Sequence, residues 1–195
     1  MSAKPLLLYL HGFLSSPQSK KAQQTLAYCA QIGLVDSIEI PELDAGPAEA
    51  IKQLRKIILS HENRSIMLIG SSLGGFYASY LAEQYGFPAA LINPAVRPFE
   101  RWESHLGEHR NYYSDKIHLV TPEHIEELKL LDSPRLTRPR NILLLVQTGD
   151  ETLDHRLALD KFASSPTILR QGGNHSYENF DQELPAIFEF LLSRI

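Results

Sequence analysis

Apolar residues occur along this chain in short unbroken runs separated by longer amphipathic stretches. Leu6-Leu7-Leu8-Tyr9-Leu10, Ile66-Met67-Leu68-Ile69 and Ile142-Leu143-Leu144-Leu145-Val146 contain no charged position, the pattern of strands buried on both faces. Strands are predicted near 5–10, 37–40, 65–69, 88–92, 141–147 and 166–170. Between them the apolar positions recur at helical spacing. Ala50, Ile51, Leu54, Ile57 and Ile58 form one stripe, and Leu184, Ile187, Phe188, Leu191 and Ile195 form another. Helices are predicted near 17–32, 47–60, 73–85, 154–163 and 180–194, with Pro17 and Pro47 as first-turn prolines. Continuous apolar strands alternating with amphipathic helices imply an α/β chain. Its sheet is mostly parallel, has about six strands and is flanked by helices on both faces.

The rhythm breaks once. Residues 95–138 read as a cap-like insertion within a single domain spanning 1–195. The stretch holds Trp102, His105, His109, Tyr112, Tyr113, His118 and His124, and a helix from Thr121-Pro122 to about Leu131 with Thr121 as its cap. Its histidines lack any H-E-x-x-H or paired Cys/His spacing, so no metal site is expected.

Candidate chemistry begins at Gly70-Ser71-Ser72-Leu73-Gly74-Gly75, directly after a buried-type strand and before a helical stripe of Leu73, Phe76, Tyr77, Tyr80 and Leu81. Gly70 and Gly74 bracket Ser72 as G-x-S-x-G. Such a turn strains the serine backbone and brings neighbouring chain so close that flanking side chains would collide, which lifts the hydroxyl above the sheet. The N–H of Leu73, first in the helix, faces the place where an oxyanion would form. Two partners follow at later strand ends: Asp150 in Gln147-Thr148-Gly149-Asp150, and His175 in Gly172-Gly173-Asn174-His175. Asp154 is the alternative acid, expected instead to cap the next helix, and Glu151 is a weaker one. Near the start, His11-Gly12-Phe13 follows a strand, and the Phe13 N–H is the candidate second oxyanion donor, with Leu14 the alternative. His11 precedes the serine and is read as a structural residue that hydrogen-bonds its loop. Arg97 is read as a salt-bridge residue that could also hold a substrate anion.

The sequence resembles the small bacterial YqiA-like esterases of the α/β-hydrolase superfamily. The resemblance is carried by Tyr9-Leu10-His11-Gly12-Phe13 with Ser15-Ser16-Pro17, by the Ser72 turn, by Asn93-Pro94-Ala95-Val96-Arg97-Pro98, by Gln147-Thr148-Gly149-Asp150-Glu151 with Leu153-Asp154, and by Gly172-Gly173-Asn174-His175. It implies a reduced α/β-hydrolase fold with Ser72 as nucleophile, His175 as base and Asp150 as acid. It also implies esterase or thioesterase activity through an acyl-enzyme intermediate, on a small acyl ester or acyl thioester. The competing expectation is a non-catalytic hydrolase-fold module that binds a ligand or a protein.

Composition narrows the remaining classes. A chain of 195 residues with a hydrophobic fraction of 43% can bury one sizeable core. A net charge of -4 offers no electrostatic reason to bind nucleic acid or an anionic membrane. The single cysteine, Cys29, sits in an apolar helical stretch, allows no internal disulfide and fits a reducing compartment. The N-terminal apolar run is too short for a signal-peptide core, and no run is long enough to span a membrane. A cytoplasmic monomer that needs no cofactor is expected.

Overall fold

The computed structural model describes residues 4–195. Eight strands and six α-helices occur among them. The strands are β1 (Leu6–Leu10), β2 (Ile38–Glu39), β3 (Ile66–Ser71), β4 (Ala89–Ile92), β5 (Gly107–Arg110), β6 (Ile117–Val120), β7 (Ile142–Gln147) and β8 (Thr167–Arg170). The helices are α1 (Lys20–Gln31), α2 (Pro47–Ser60), α3 (Leu73–Tyr85), α4 (Pro122–Leu130), α5 (His155–Lys161) and α6 (Leu184–Leu192). Six strands form one parallel sheet in the order β2-β1-β3-β4-β7-β8. This is the reduced α/β-hydrolase architecture expected above.

Strand alternation sorts the core into two layers. Leu6, Leu8 and Leu10 of β1, Leu68 of β3, Leu91 of β4, and Leu144 and Val146 of β7 point to one face, where α2, α3, α4 and α5 cover them. Leu7, Tyr9, Met67, Ile69, Ala90, Ile92, Leu143 and Leu145 point to the other, where α1 and α6 cover them with Ala22, Cys29, Ile187, Phe188 and Leu191. Cys29 is fully buried, as its apolar stretch implies.

The chain runs from β1 outward to β2, then returns to place β3 on the opposite side of β1. The switch point therefore lies between β1 and β3. There the connections leave in opposite directions and open a crevice beyond the carboxyl ends of the strands. The turn after β3 carries Ser72, and the loop after β1 carries Gly12 and Phe13.

Two helix starts differ from expectation. Pro17 is not in a helical first turn; Ser16 instead organises a turn, accepting from Gln18 N–H through its hydroxyl at 3.0 Å and from Ser19 N–H through its carbonyl at 3.1 Å. The helix begins only after it. Near the C-terminus, Phe180–Glu183 form a 3-10 turn, and α6 starts at Leu184 with Pro185 in its first turn. Pro47 opens α2 as expected.

Within 95–138 lie two short 3-10 turns, Pro98–Glu100 and Trp102–His105, the antiparallel pair β5–β6, and α4. The hairpin was not predicted. On β6 only His118 and Val120 turn inward, while Ile117 and Leu119 are exposed. Four-residue strands with that mixture carry too little periodicity to read. At α4 the Thr121 N–H meets the His124 imidazole at 3.4 Å. No helix among the described residues is long and apolar enough to cross a membrane.

Candidate active site

The β3–α3 turn holds Ser72 at φ 56 and ψ -121, a region that non-glycine residues rarely occupy. Close packing enforces it. A Cβ on Gly70 would overlap the carbonyl of Gly74, and one on Gly74 would overlap the carbonyl of Leu10. The glycines at these positions are required by contact rather than by their own torsions. Gly12 approaches from the β1 loop, where an added Cβ would lie 3.2 Å from the Ser72 Cβ.

Three side chains distant in sequence meet at this turn. His175 Nε2 lies 3.1 Å from Ser72 Oγ, and His175 Nδ1 lies 2.9 Å from Asp150 Oδ2 and 3.0 Å from Oδ1. The Asp150 side chain is only 2% exposed. Burial pushes its pKa up. The hydrogen bonds from His175 and from the Leu153 and Thr152 N–H groups outweigh that, so the carboxyl stays below its ordinary value and remains ionised at neutral pH. An ionised Asp150 fixes the proton on Nδ1 and leaves the Nε2 lone pair facing the hydroxyl.

Asp154 does not join this group. Its carboxylate accepts from the Arg156 N–H at 3.0 Å and pairs with the Arg156 guanidinium at 2.8 Å, so it caps α5. Glu151 has another task, accepting the His175 backbone N–H at 2.9 Å. His11 is buried, accepting from Leu43 N–H through Nε2 at 3.1 Å and meeting its neighbour's Gly12 carbonyl through Nδ1 at 2.9 Å. These partners make it a neutral strut of the loop. Arg97 pairs with Glu100 at 3.2 Å at the surface.

The N–H groups of Leu73 and Phe13 donate to no protein acceptor among the described residues. Phe13, and not Leu14, lines the cleft around Ser72. Leu14 occupies the φ 54 position of a turn closed by Ser15 N–H to Gly12 carbonyl at 3.2 Å. The 95–138 segment braces this loop. Tyr112 N–H donates to the Leu14 carbonyl at 2.9 Å, and the Asn111 amide to the Ser15 carbonyl at 2.9 Å. The Phe13 ring packs edge-on against Trp102 at 5.0 Å, with His105 and His109 beside it. Among the described residues no group of three His, Cys, Asp or Glu side chains could hold a metal ion.

Two residues that hold the histidine loop were not singled out from the sequence. Asn93 is buried at the end of β4. Its Nδ2 donates to the carbonyls of Asn174 and His175, each at 3.1 Å, and its Oδ1 accepts the Gln147 N–H at 3.0 Å. Gln147, at the end of β7, accepts through Oε1 from Asn174 N–H at 3.1 Å and Glu178 N–H at 2.9 Å, and donates to the Glu178 carbonyl at 2.9 Å. Gly172 and Gly173, at φ 74 and 75, allow the loop to double back over them. The sequence signals are a carboxamide residue closing an otherwise apolar strand and the place of both residues at the head of stretches that carry the family resemblance.

A cleft of about 770 Å³ opens over Ser72. The fold recurs in proteins of distant sequence. Mouse alpha/beta hydrolase domain-containing protein 10 is 18% identical with a TM-score of 0.77, over 99% of this chain and 91% of that one. Est1E from Butyrivibrio proteoclasticus with bound ferulic acid is 13% identical with a TM-score of 0.70, over 97% and 89%. The esterase domain of a Rhodothermus marinus protein is 19% identical with a TM-score of 0.64, over 99% and 87%. Residues 6–192 match the family described as "Uncharacterised protein family (UPF0227)", the YqiA-like group that the motifs resemble. With the match running through every strand of the parallel sheet, the chain belongs to the UPF0227 family and carries the α/β-hydrolase fold.

Proposed function

We propose that the protein is a serine hydrolase that cleaves carboxylic acyl esters or thioesters through Ser72, His175 and Asp150. The observation that carries this reading is the continuous relay from Asp150 through His175 to Ser72 Oγ at 2.9 and 3.1 Å, ending on a serine held in a strained turn. The esterase domain of the Rhodothermus protein, which shares the fold, agrees with it.

In this reading His175 Nε2 takes the Ser72 hydroxyl proton as Oγ attacks the carbonyl carbon. Asp150 stabilises the imidazolium that results. The tetrahedral oxyanion is held by the N–H groups of Leu73 and Phe13, each worth about 3 kcal/mol in the transition state. The intermediate collapses, and the alcohol or thiol leaves with the proton from Nε2. An acyl group remains on Ser72. Water then gives a proton to Nε2, attacks the acyl carbon, and releases the acid and the free serine. No step needs a cofactor. The 95–138 segment acts as a cap, since it supplies Trp102 and His105 to the cleft wall.

A fluorophosphonate probe tests the assignment. Prompt labelling of the wild type, absent in Ser72→Ala, is the expected result, together with a loss of about 10⁴-fold or more in p-nitrophenyl butyrate turnover in Ser72→Ala and His175→Ala. A folded wild type that neither labels nor turns over any of a series of acyl esters and thioesters sinks the reading in favour of a binding module.

A further inference from the structure

The cleft over Ser72 has two chemically different walls. One is mainly apolar: Phe13, Leu73, Val96, Trp102 and Leu153 line it and pack in or against the core layer on the α2–α3 face of the sheet, with Arg97, Glu100, Arg101 and Asp154 of the same segments also lining the cleft. The other comes from the segment leading into α1, from the first turns of α1 and from the loop that carries His175. Ser15, Ser19, Lys20, Lys21 and Gln24 face the cleft there. Lys21 joins the two pieces of this wall, its Nζ donating to the carbonyl of Ser176 at 2.9 Å.

Lys21 lacks the partner that a cation in such a place ordinarily has. Of the acids that line the cleft with it, Glu100 and Asp154 are engaged by Arg97 and Arg156, and Glu178 accepts from the Asn174 amide. No carboxylate among the described residues lies within ion-pair distance of Lys21 Nζ. Burial lowers its pKa to about 8, with the more distant charge of Asp150 pulling the other way, so the ammonium is still present at neutral pH. An ammonium has three donors, and the Ser176 carbonyl accepts from one. A partly desolvated cation with spare donors, turned toward a cleft, favours an incoming anion.

Building on the hydrolase reading above, we propose that Lys21 determines specificity by binding an anionic oxyacid group, carboxylate or phosphate, on the leaving group of the ester or thioester. The side of the scissile bond follows from the path of the proton. His175 Nε2 hands its proton to the departing oxygen or sulfur, so the leaving group departs along the imidazole. Ser176, whose carbonyl anchors Lys21, is the next residue in the chain. The acyl portion then lies against the apolar wall. The exposed ammonium of Lys20 adds a second positive charge at the same end of the cleft. The preferred substrate is an amphipathic acyl ester or thioester, apolar on the acyl side and anionic on the other.

Matched thioesters test this in the intact protein at low salt. S-butyryl-3-mercaptopropionate and S-butyryl-3-mercaptopropionamide share acyl group, length and thiol, and differ in one negative charge. The wild type should favour the acid by about tenfold or more in kcat/KM, the scale of one charge-assisted hydrogen bond. That ratio should fall toward one in Lys21→Met and Lys21→Gln and survive in Lys21→Arg. A Lys21 that merely held the loop would slow both substrates in proportion and leave the ratio unchanged. S-butyryl-3-mercaptopropyl phosphate, run as a third arm, tells which oxyacid is the better ligand. A wild-type ratio near or below one, or an unchanged ratio in Lys21→Met, overturns the assignment. Complete inactivity of the wild type on all three thioesters and on p-nitrophenyl butyrate would instead remove the hydrolase reading, and the Lys21 assignment with it.

Discussion

Replacing Asn93 by Ala should disable the histidine loop without altering the side chain of any of the three relay residues. The Asn93 carboxamide makes three hydrogen bonds at 3.0–3.1 Å, two to the loop carbonyls of Asn174 and His175 and one from the Gln147 N–H. All are sheltered, since Asn93 is 2% exposed. Each such bond contributes about 1 kcal/mol net, and a buried group left unpaired costs about 1–3 kcal/mol. Alanine must also adopt the φ of 39 that asparagine tolerates, at a cost of roughly 1 kcal/mol. A loss of about 3–4 kcal/mol is expected, which for a chain of this size lowers Tm by roughly 6–16 °C. The effect on chemistry is separate. Release of the loop lets the His175 imidazole drift from Ser72 Oγ, and a misplacement on the order of 1 Å costs about 10²-fold. Calorimetry and steady-state p-nitrophenyl butyrate kinetics below the transition should therefore show a lower Tm, and a kcat reduced about 100-fold at nearly constant KM. Asn93→Gly separates the two causes, because it removes the carboxamide but relieves the backbone. Its kcat should be as low as that of Asn93→Ala. A folded Asn93→Ala or Asn93→Gly with kcat within twofold of wild type would refute the positioning role.

Three further outcomes follow from the same geometry. Asp150→Asn should lose roughly 10³–10⁴-fold in kcat, because it removes the charge that sets the imidazole tautomer, while Asp154→Asn should stay within about threefold; the opposite ranking in kinetic assays would move the acid to Asp154. Burial lowers the His11 pKa below 6.5, so below that pH the unfolded chain binds more protons than the folded one, and stability falls as pH drops from 6.5 toward the folded-state value. Urea unfolding between pH 7 and 5 should show this slope, and His11→Gln should flatten it; His118, whose pKa is also lowered chiefly by burial, keeps it from vanishing. Gly74→Ala should fail to fold or lose several kcal/mol, since its Cβ overlaps the Leu10 carbonyl; a soluble variant with wild-type Tm and activity would contradict the packing described for the turn.

The hydrophobic pattern carried most of the fold. Charge-free runs such as Leu6–Leu10 and Ile142–Gln147 can be satisfied only by a sheet covered on both faces, so α/β layering is implicit in the order of residues. The serine turn was legible for the same reason: glycines spaced around Ser72 report a close approach of backbones, and that is a local demand. Asp150, His175 and the helix-capping Asp154 were legible as residue types at strand ends. The β5–β6 hairpin was not, because its stability comes from docking on the Leu14–Ser15 loop rather than from its own mixed pattern.

What the order of residues determined, then, is every element that local periodicity or steric demand can encode. Only the tertiary structure decided which acid reaches the imidazole. Asp150 and Asp154 lie four positions apart past the same strand, and the difference between them is set by contacts. Asp150 is folded back onto the Thr152 and Leu153 N–H groups beneath His175, while Asp154 is drawn off by Arg156. The roles of Asn93, Gln147 and Lys21 were likewise decided in three dimensions. Each acts on the 174–178 loop from 27 to 155 residues away in the chain, and no pattern along a sequence encodes a hydrogen bond across that separation.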